Sequence, residues 1–272
     1  MKKRTLAGLI GLVAVSLLAV GCGKKTEEVK GSENVKLGVI GENNEVWEDV
    51  QSRLKADGIE LEIVSFTDYN QPNAALADGE IQLNSFQHQI FLDNYNEEHG
   101  TDLVAIGNTV TAPLGIYSEK IKDIKELKDG AKVSIPNDVT NGGRALLLLQ
   151  TAGLIKVDPA AKSTPTPKDI TENKLNLEIS ELDAAQVARS LKDVDIAIIN
   201  NGLAIDAGLV PQDDAIFLEP IDDTSKPYIN IIVAKKEDQD NELYQKIVKA
   251  YQTEDTKKII EETSKGSSIP AW

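Results

Sequence analysis

Residues 131–150 read AKVSIPNDVTNGGRALLLLQ. The opening AKVSIP is an apolar run closed by Pro136, whose missing N–H suits the end of a strand. ALLLLQ, after the polar turn, continues as a helix that Thr140 or Asn141 is placed to cap. Gly142 and Gly143 let another group approach the backbone closely. A helix N-terminus with bare N–H groups is also a ready anion site. Arg144 falls in the expected first turn, where the helix dipole disfavours a cation. A local rule broken in this way marks a place to look for function. The guanidinium fork would take a carboxylate bidentately there, with the helix end adding donors. The alternative is that Arg144 serves a surface ion pair.

The same alternation extends outward in both directions. VKLGVI (35–40), LEIVSF (61–66), LVAIGNTV (103–110), LNLEIS (175–180), DIAIIN (195–200) and INIIVA (229–234) read as further strands. In NEVWEDVQSRLKA (44–56), Val46, Val50 and Leu54 share one helical face. Other helices are expected at 86–98, 141–153, 183–191 and 241–263. Strands alternating with helices give an α/β class with largely parallel sheets. DPAAKSTPTPK (158–168) reads as an exposed loop. The pattern leaves open one large α/β domain or two lobes around a cleft.

The N-terminus sets an address. Lys2, Lys3 and Arg4 precede an apolar run from Leu6 to Val20, shorter than the roughly 20 residues of a spanning helix. The run ends at Leu18-Ala19-Val20-Gly21-Cys22, and Cys22 is the only cysteine in the chain. Small residues before a unique Cys resemble a bacterial lipobox, with cleavage after residue 21 and a diacylglyceryl group on the Cys22 sulfur. An ordinary signal peptide with an incidental Cys is the alternative. Residues 22–34 then read as a lipid-anchored flexible tether. Two acyl chains hold a protein stably on a membrane, so the expected location is the extracytoplasmic face of the cell membrane. Without residues 1–21 the chain keeps 26 of its 29 Lys and Arg against 44 Asp and Glu, a net −18. That balance argues against a nucleic-acid partner.

Catalytic signatures are missing. His88 and His99 form no His-Glu-x-x-His pair, no Gly-x-Ser-x-Gly elbow is present, and no strand leads into a phosphate-binding Gly motif. Nothing nominates a catalytic residue, a metal ligand or a cofactor. A paired-carboxylate hydrolase stays open only because such pairs are set in space rather than along the chain. A surface interaction protein on a lipoprotein anchor is the other class.

Binding residues are easier to nominate, because polar groups at strand ends of an α/β sheet point into the ligand crevice. Four stretches qualify besides the Arg144 segment. TDYNQPN (67–73) follows a strand. NSFQHQIFL (84–92) puts His88 and Phe91 three apart on the expected helix, with Phe86 at its start, and core packing is the alternative there. Asn200-Asn201-Gly202 and Tyr228-Ile229-Asn230 mark two more strands, although an Asn at such a point also reads as a turn residue.

Taken together and in this order, SFTDYNQPN, FQH, TAPLGIYS, IPNDVTNGGRALLLLQTAGLI, the Asn-rich strand end and KPYINII resemble the NlpA-type family of methionine-binding lipoproteins. The resemblance runs from about Val35 to Trp272. It implies a two-lobed, periplasmic-binding-protein-like fold (type II-like) with the ligand cleft between lobes. Residues 35–115 plus 230–272 would form one lobe and 116–229 the other. It implies methionine, or a related amino acid, as ligand, and the permease and ATPase subunits of an ABC importer as partners. Arg144, with Asn141 nearby, would hold the carboxylate, and Asn230 the polar head. Tyr69, Phe86, His88 and Phe91 would surround the thioether, which gains from aromatic contact. The family often has Asn-Gly-Asn-Tyr where this chain has Asn200-Asn201-Gly202-Leu203, so Asn201 or Asn200 would compensate. Relatives also often carry Tyr at Phe91 and His-Ala at Asn43-Asn44. These departures keep a methionine derivative or a short peptide open as ligand.

Overall fold

The computed structural model describes residues 33–272. The expected signal segment, the Cys22 lipidation and nearly all of the tether lie outside the described residues. The first stretch runs β1 (Glu33–Ile40), α1 (Glu45–Ala56), β2 (Ile59–Phe66), α2 (Gln71–Asp78), β3 (Leu83–Asn84), α3 (Gln89–His99) and β4 (Val104–Thr111). Next come β5 (Gly115–Tyr117), β6 (Lys132–Pro136), α4 (Val139–Thr151), β7 (Ile155–Val157), β8 (Ile170–Asn173), β9 (Glu178–Leu182), α5 (Ala184–Val187), β10 (Ile196–Ile199), α6 (Asn201–Asp206), α7 (Pro211–Asp214) and β11 (Ala215–Leu218). The chain ends with β12 (Ile229–Ala234), α8 (Glu242–Tyr251), α9 (Glu254–Ser264) and β13 (Ile269–Pro270).

Two main sheets result. One has the order β13-β4-β12-β3-β1-β2, the other β11-β5-β10-β6-β9, and β7 pairs with β8 alone. The chain passes between the main sheets at residues 112–114 and again at 219–228. Each sheet is parallel on one side only: β1 with β2 and β3, and β6 with β9 and β10. The crossing strands β4, β5, β11 and β12 pair antiparallel. That corrects the expectation of largely parallel sheets. A strand reached through a short crossing, without a covering helix, has no geometric need to run parallel.

Both faces of each main sheet are covered, which explains the continuous apolar runs. In β12, Ile232 and Ala234 join the core with Trp47, Val50 and Leu54 of α1, while Ile231 and Val233 face Leu76 and Leu92. In β10, Ile196 and Ile198 meet Leu146 and Leu149 of α4, while Ala197 and Ile199 face Val187 and Ala204. This period-2 split fixes the register.

Helix limits differ from expectation for local reasons. α3 starts at Gln89 because His88 is its N-cap, so His88 precedes the helix instead of lying on it. The 241–263 segment is two helices, broken where Thr253 caps α9 by accepting from the Thr256 N–H. The 183–191 segment is one α-turn run followed by a 3-10 helix from Ala188 to Lys192. α1 buries Trp47, Val50 and Leu54, with Val46 at the margin. Among the described residues no helix is long and apolar enough to cross a membrane.

Candidate functional site

A cavity of about 290 Å³ lies between the two main sheets. All eight residues nominated for a ligand line it: Tyr69, Phe86, His88, Phe91, Asn141, Arg144, Asn201 and Asn230. Asn200 lines it too.

The aromatic wall comes from the six-stranded side. Tyr69 sits in the loop after β2, Phe86 between β3 and α3, and Phe91 in the first turn of α3. Ring centroids are 5.8 Å apart for Tyr69–Phe86, 6.1 Å for Tyr69–Phe91 and 5.7 Å for Phe86–Phe91, the last two nearly edge-to-face. Such tilted pairs hold aromatic faces open to a further apolar group. Behind the wall, Asn73, Asn84 and Gln87 are buried and bond one another through four amide contacts of 2.6 to 2.9 Å. This closed network ties α2 to the segment carrying Phe86 and His88. Sequence reading missed it, because buried amides look like turn residues until their partners are known.

His88 has a defined protonation state. Its Nδ1 accepts from the Phe91 N–H at 3.2 Å, so the ring proton lies on Nε2. Nε2 is buried and unpartnered. Burial, helped by the Arg144 charge, lowers the His88 pKa to about 3. The side chain is therefore a neutral donor at the cavity. Burial likewise raises the Tyr69 pKa, keeping its hydroxyl protonated.

The Arg144 segment departs from expectation in three ways. Asp138, not Thr140 or Asn141, caps α4, accepting from the Asn141 N–H at 2.9 Å, so the chain's own carboxylate fills the helix-end anion site. Arg144 consequently falls in the second turn. A Cβ at Gly142 would lie 2.7 Å from the Pro136 carbonyl oxygen, and one at Gly143 2.8 Å from Thr164 Cα. These glycines admit the protein's own backbone rather than a ligand. Thirdly, the Arg144 fork is occupied: Nε donates to Glu219 Oε1 at 2.9 Å and Nη2 to Glu219 Oε2 at 2.5 Å. This is a buried pair, Arg144 being 3% exposed, and not a surface one. Nη2 also donates to the Ala112 carbonyl, and the guanidinium carbon lies 4.3 Å from the Tyr228 ring centroid. Nη1 has no hydrogen-bond partner among the described residues, which leaves one donor edge at the cavity. Glu219 gave no sequence signal, being one carboxylate among 44.

The asparagines form an ordered relay. Asp138 accepts from Asn141 Nδ2 (3.0 and 3.1 Å), and Asn141 Oδ1 accepts from Asn200 Nδ2 at 2.7 Å. Both polar ends of Asn141 are thereby committed to the protein. Asn200 Oδ1 is left as a buried acceptor without a partner, and Asn201 Nδ2 as a buried donor without one. Asn230, at the start of β12, bridges His88 backbone to backbone. Among the described residues the cavity thus presents two buried unpartnered donors (His88 Nε2–H and Asn201 Nδ2) and one buried unpartnered acceptor (Asn200 Oδ1) beside an aromatic wall, with Arg144 Nη1 as a further donor. Buried polar groups are rarely left unsatisfied without a reason.

A family model described as NlpA lipoprotein matches residues 35–272. The chain belongs to the NlpA lipoprotein family. Among its relatives, D-methionine-binding lipoprotein MetQ of Escherichia coli K12 is 42% identical over 267 residues, covering 97% of this chain and 96% of that one. The NlpA relationship extends to solved structures. A nutrient-binding protein from Burkholderia cenocepacia, solved bound to methionine, aligns with a TM-score of 0.84 at 44% identity, covering 88% of this chain and all of that one. The substrate-binding protein of a Streptococcus pneumoniae methionine transporter aligns at 0.83 and 43%, covering 88% and 96%. The two-lobed binding-protein fold follows from these matches.

Proposed function

We propose that this chain captures methionine outside the cell membrane and delivers it to the permease and ATPase of an ABC importer, acting as a receptor rather than an enzyme. The carrying observation is the cavity's inventory of unpartnered groups: donors and one acceptor beside three aromatic rings. A zwitterionic amino acid with a thioether side chain complements that inventory group by group. Its carboxylate takes Arg144 Nη1, His88 Nε2–H and Asn201 Nδ2, and its ammonium takes Asn200 Oδ1 with support from Asn230. The thioether lies against Tyr69, Phe86 and Phe91, where sulfur–aromatic contact adds about 0.3–1.5 kcal/mol. Because Glu219 occupies the outer edge of Arg144, the guanidinium offers the ligand a single charged donor instead of a fork.

The two sheets act as lobes with boundaries at 35–115 plus 230–272 and 116–229, closing about the ligand through the crossings at 112–114 and 219–228. A diacylglyceryl group on Cys22 keeps the receptor at the membrane, and no cofactor takes part. Mass spectrometry of small molecules released on denaturing the freshly purified protein tests the reading. Near-stoichiometric methionine is the expected result. A different amino acid or a dipeptide would keep the receptor and move its specificity to Asn200–Leu203 and Phe91. An empty protein whose melting temperature ignores added methionine would overturn capture and favour a surface interaction role.

A further inference from the structure

The cleft is spanned at α6. This helix follows β10 of the five-stranded sheet, yet its first and last side chains reach elements of the other sheet. At its start, Asn201 is 3% exposed, and its Oδ1 lies 3.3 Å from the hydroxyls of both Ser267 and Ser268. At its end, Asp206 Oδ1 accepts from Asn43 Nδ2 at 2.7 Å. The serines occupy the turn between α9 and β13, and Asn43 the turn between β1 and α1.

The Asn201 contact is buried and one-sided. With Oδ1 turned to the serines, Nδ2 is left at the cavity without a partner. Ser267 has one hydroxyl proton and a nearer acceptor for it, the Ser264 carbonyl at 2.8 Å. Ser268 has no other acceptor among the described residues, so it is the effective donor to Asn201. Its backbone N–H is held in turn by Ser264 Oγ at 3.1 Å, which fixes the turn. A 3.3 Å contact is longer than the usual hydroxyl hydrogen bond of about 2.7–2.8 Å, so roughly half an ångström remains for the two sides to draw together.

We propose that Asn201 and Ser268 form a ligand-coupled closing clamp, with Ser268 a positioning residue for retention of the ligand. The inference rests on the amino-acid capture described above. A carboxylate that accepts from Asn201 Nδ2 polarises the amide and makes Oδ1 a stronger acceptor, because linked hydrogen bonds reinforce one another. The serine contact then tightens only when the site is filled. Differential affinity for the closed arrangement follows, and only such a difference shifts a conformational equilibrium. The clamp acts after encounter, so it lowers the release rate and leaves association nearly unchanged.

Stopped-flow tryptophan fluorescence on the full-length lipoprotein in detergent, with L-methionine as the probe, tests this. Wild type, Ser268→Ala, Ser268→Thr, Asn201→Ala and the Ser268→Ala/Asn201→Ala double variant are compared. One hydrogen bond lost predicts about threefold to tenfold faster release from Ser268→Ala, with Ser268→Thr restoring slow release. In the Asn201→Ala background, Ser268→Ala should add nothing further. Wild-type release from Ser268→Ala would overturn the clamp. So would an undiminished Ser268→Ala effect in the Asn201→Ala background, since the serine would then touch the ligand itself. A wild-type protein that binds no L-methionine would overturn amino-acid capture and the clamp with it.

Discussion

Arg144 and Glu219 form a doubly bonded pair that is fastened to both crossings between the sheets. Glu219 Oε2 also accepts from the Leu114 N–H at 3.0 Å, and Arg144 Nη2 donates to the Ala112 carbonyl at 3.0 Å. Glu219 itself opens the second crossing. The charged residue facing the cavity is therefore held by both crossing segments, so the proposed grip on the ligand and the proposed hinge would share one side chain.

Removing Glu219 should hurt both stability and binding. Breaking a buried ion pair costs about 3–5 kcal/mol, and the 17% exposure of the Glu219 side chain brings the expectation to roughly 2–3 kcal/mol for Glu219→Ala. Urea unfolding without ligand reads this. Methionine affinity should fall about tenfold or more, since an unanchored guanidinium loses its orientation. A Glu219→Ala protein with wild-type midpoint and wild-type affinity would refute the anchoring role.

His88 should make the fold acid-sensitive. Its folded-state pKa of about 3 lies below the unfolded value near 6.5, so the unfolded chain binds the proton more readily. Stability from this group is present above pH 6.5 and is lost as pH falls from there toward 3. At pH 5 the loss amounts to about 2 kcal/mol relative to pH 7. The measurement is the pH dependence of unfolding free energy in wild type and His88→Gln, whose difference isolates this group from the carboxylates. Parallel profiles would show that His88 titrates normally.

The aromatic wall predicts discrimination between thioether and hydrocarbon side chains. Norleucine replaces the sulfur with a methylene at nearly constant shape, so it should bind between about twofold and tenfold more weakly than methionine. Phe86→Leu should shrink that ratio toward one while weakening both ligands. Calorimetric titration of the two ligands against both proteins gives the ratio directly. An unchanged ratio in Phe86→Leu would take the sulfur contact away from that ring.

Much of the architecture was legible because it follows from periodicity. Doubly buried β10 announces itself as an unbroken apolar run, β12 as one from Ile231 to Ala234, and α4 as a helix behind a proline-closed strand. Two-residue β3 and three-residue β5 left no trace, since their identity depends on which strands they join. The Arg144 stretch carries a sound signal, a cation near a helix start, but neither its Asp138 cap nor the occupied guanidinium fork follows from that signal. Asp138 and Asn141 are both good capping residues, and only the fold shows that Asn141 is needed for Asn200. Glu219 lies 75 residues from Arg144, so no local pattern connects them. The eight nominated residues and Asn200, the alternative to Asn201, meet at one cavity, while Glu219 and the Asn73–Asn84–Gln87 network required coordinates.

Gly41, after β1, lies against Asp206 at the end of α6, beside the Asn43–Asp206 hydrogen bond. It has φ +82°, and a Cβ there would meet Asp206 Oδ2 at 1.9 Å. Asp206 must therefore move if anything larger than glycine stands at 41. Gly41→Ala carries two penalties that a second substitution separates. The left-handed backbone costs roughly 1 kcal/mol of stability wherever Asp206 is. The clash with Asp206 opposes closure alone, so it should appear as weaker methionine binding. In the Asp206→Ala background the clash is gone, and Gly41→Ala should then lower the melting temperature while leaving affinity unchanged. Calorimetric titration of wild type, both single variants and the double variant gives the cycle. An equal loss of affinity from Gly41→Ala in both backgrounds would mean that position 41 acts through its own backbone strain and that the lobes do not meet at Asp206.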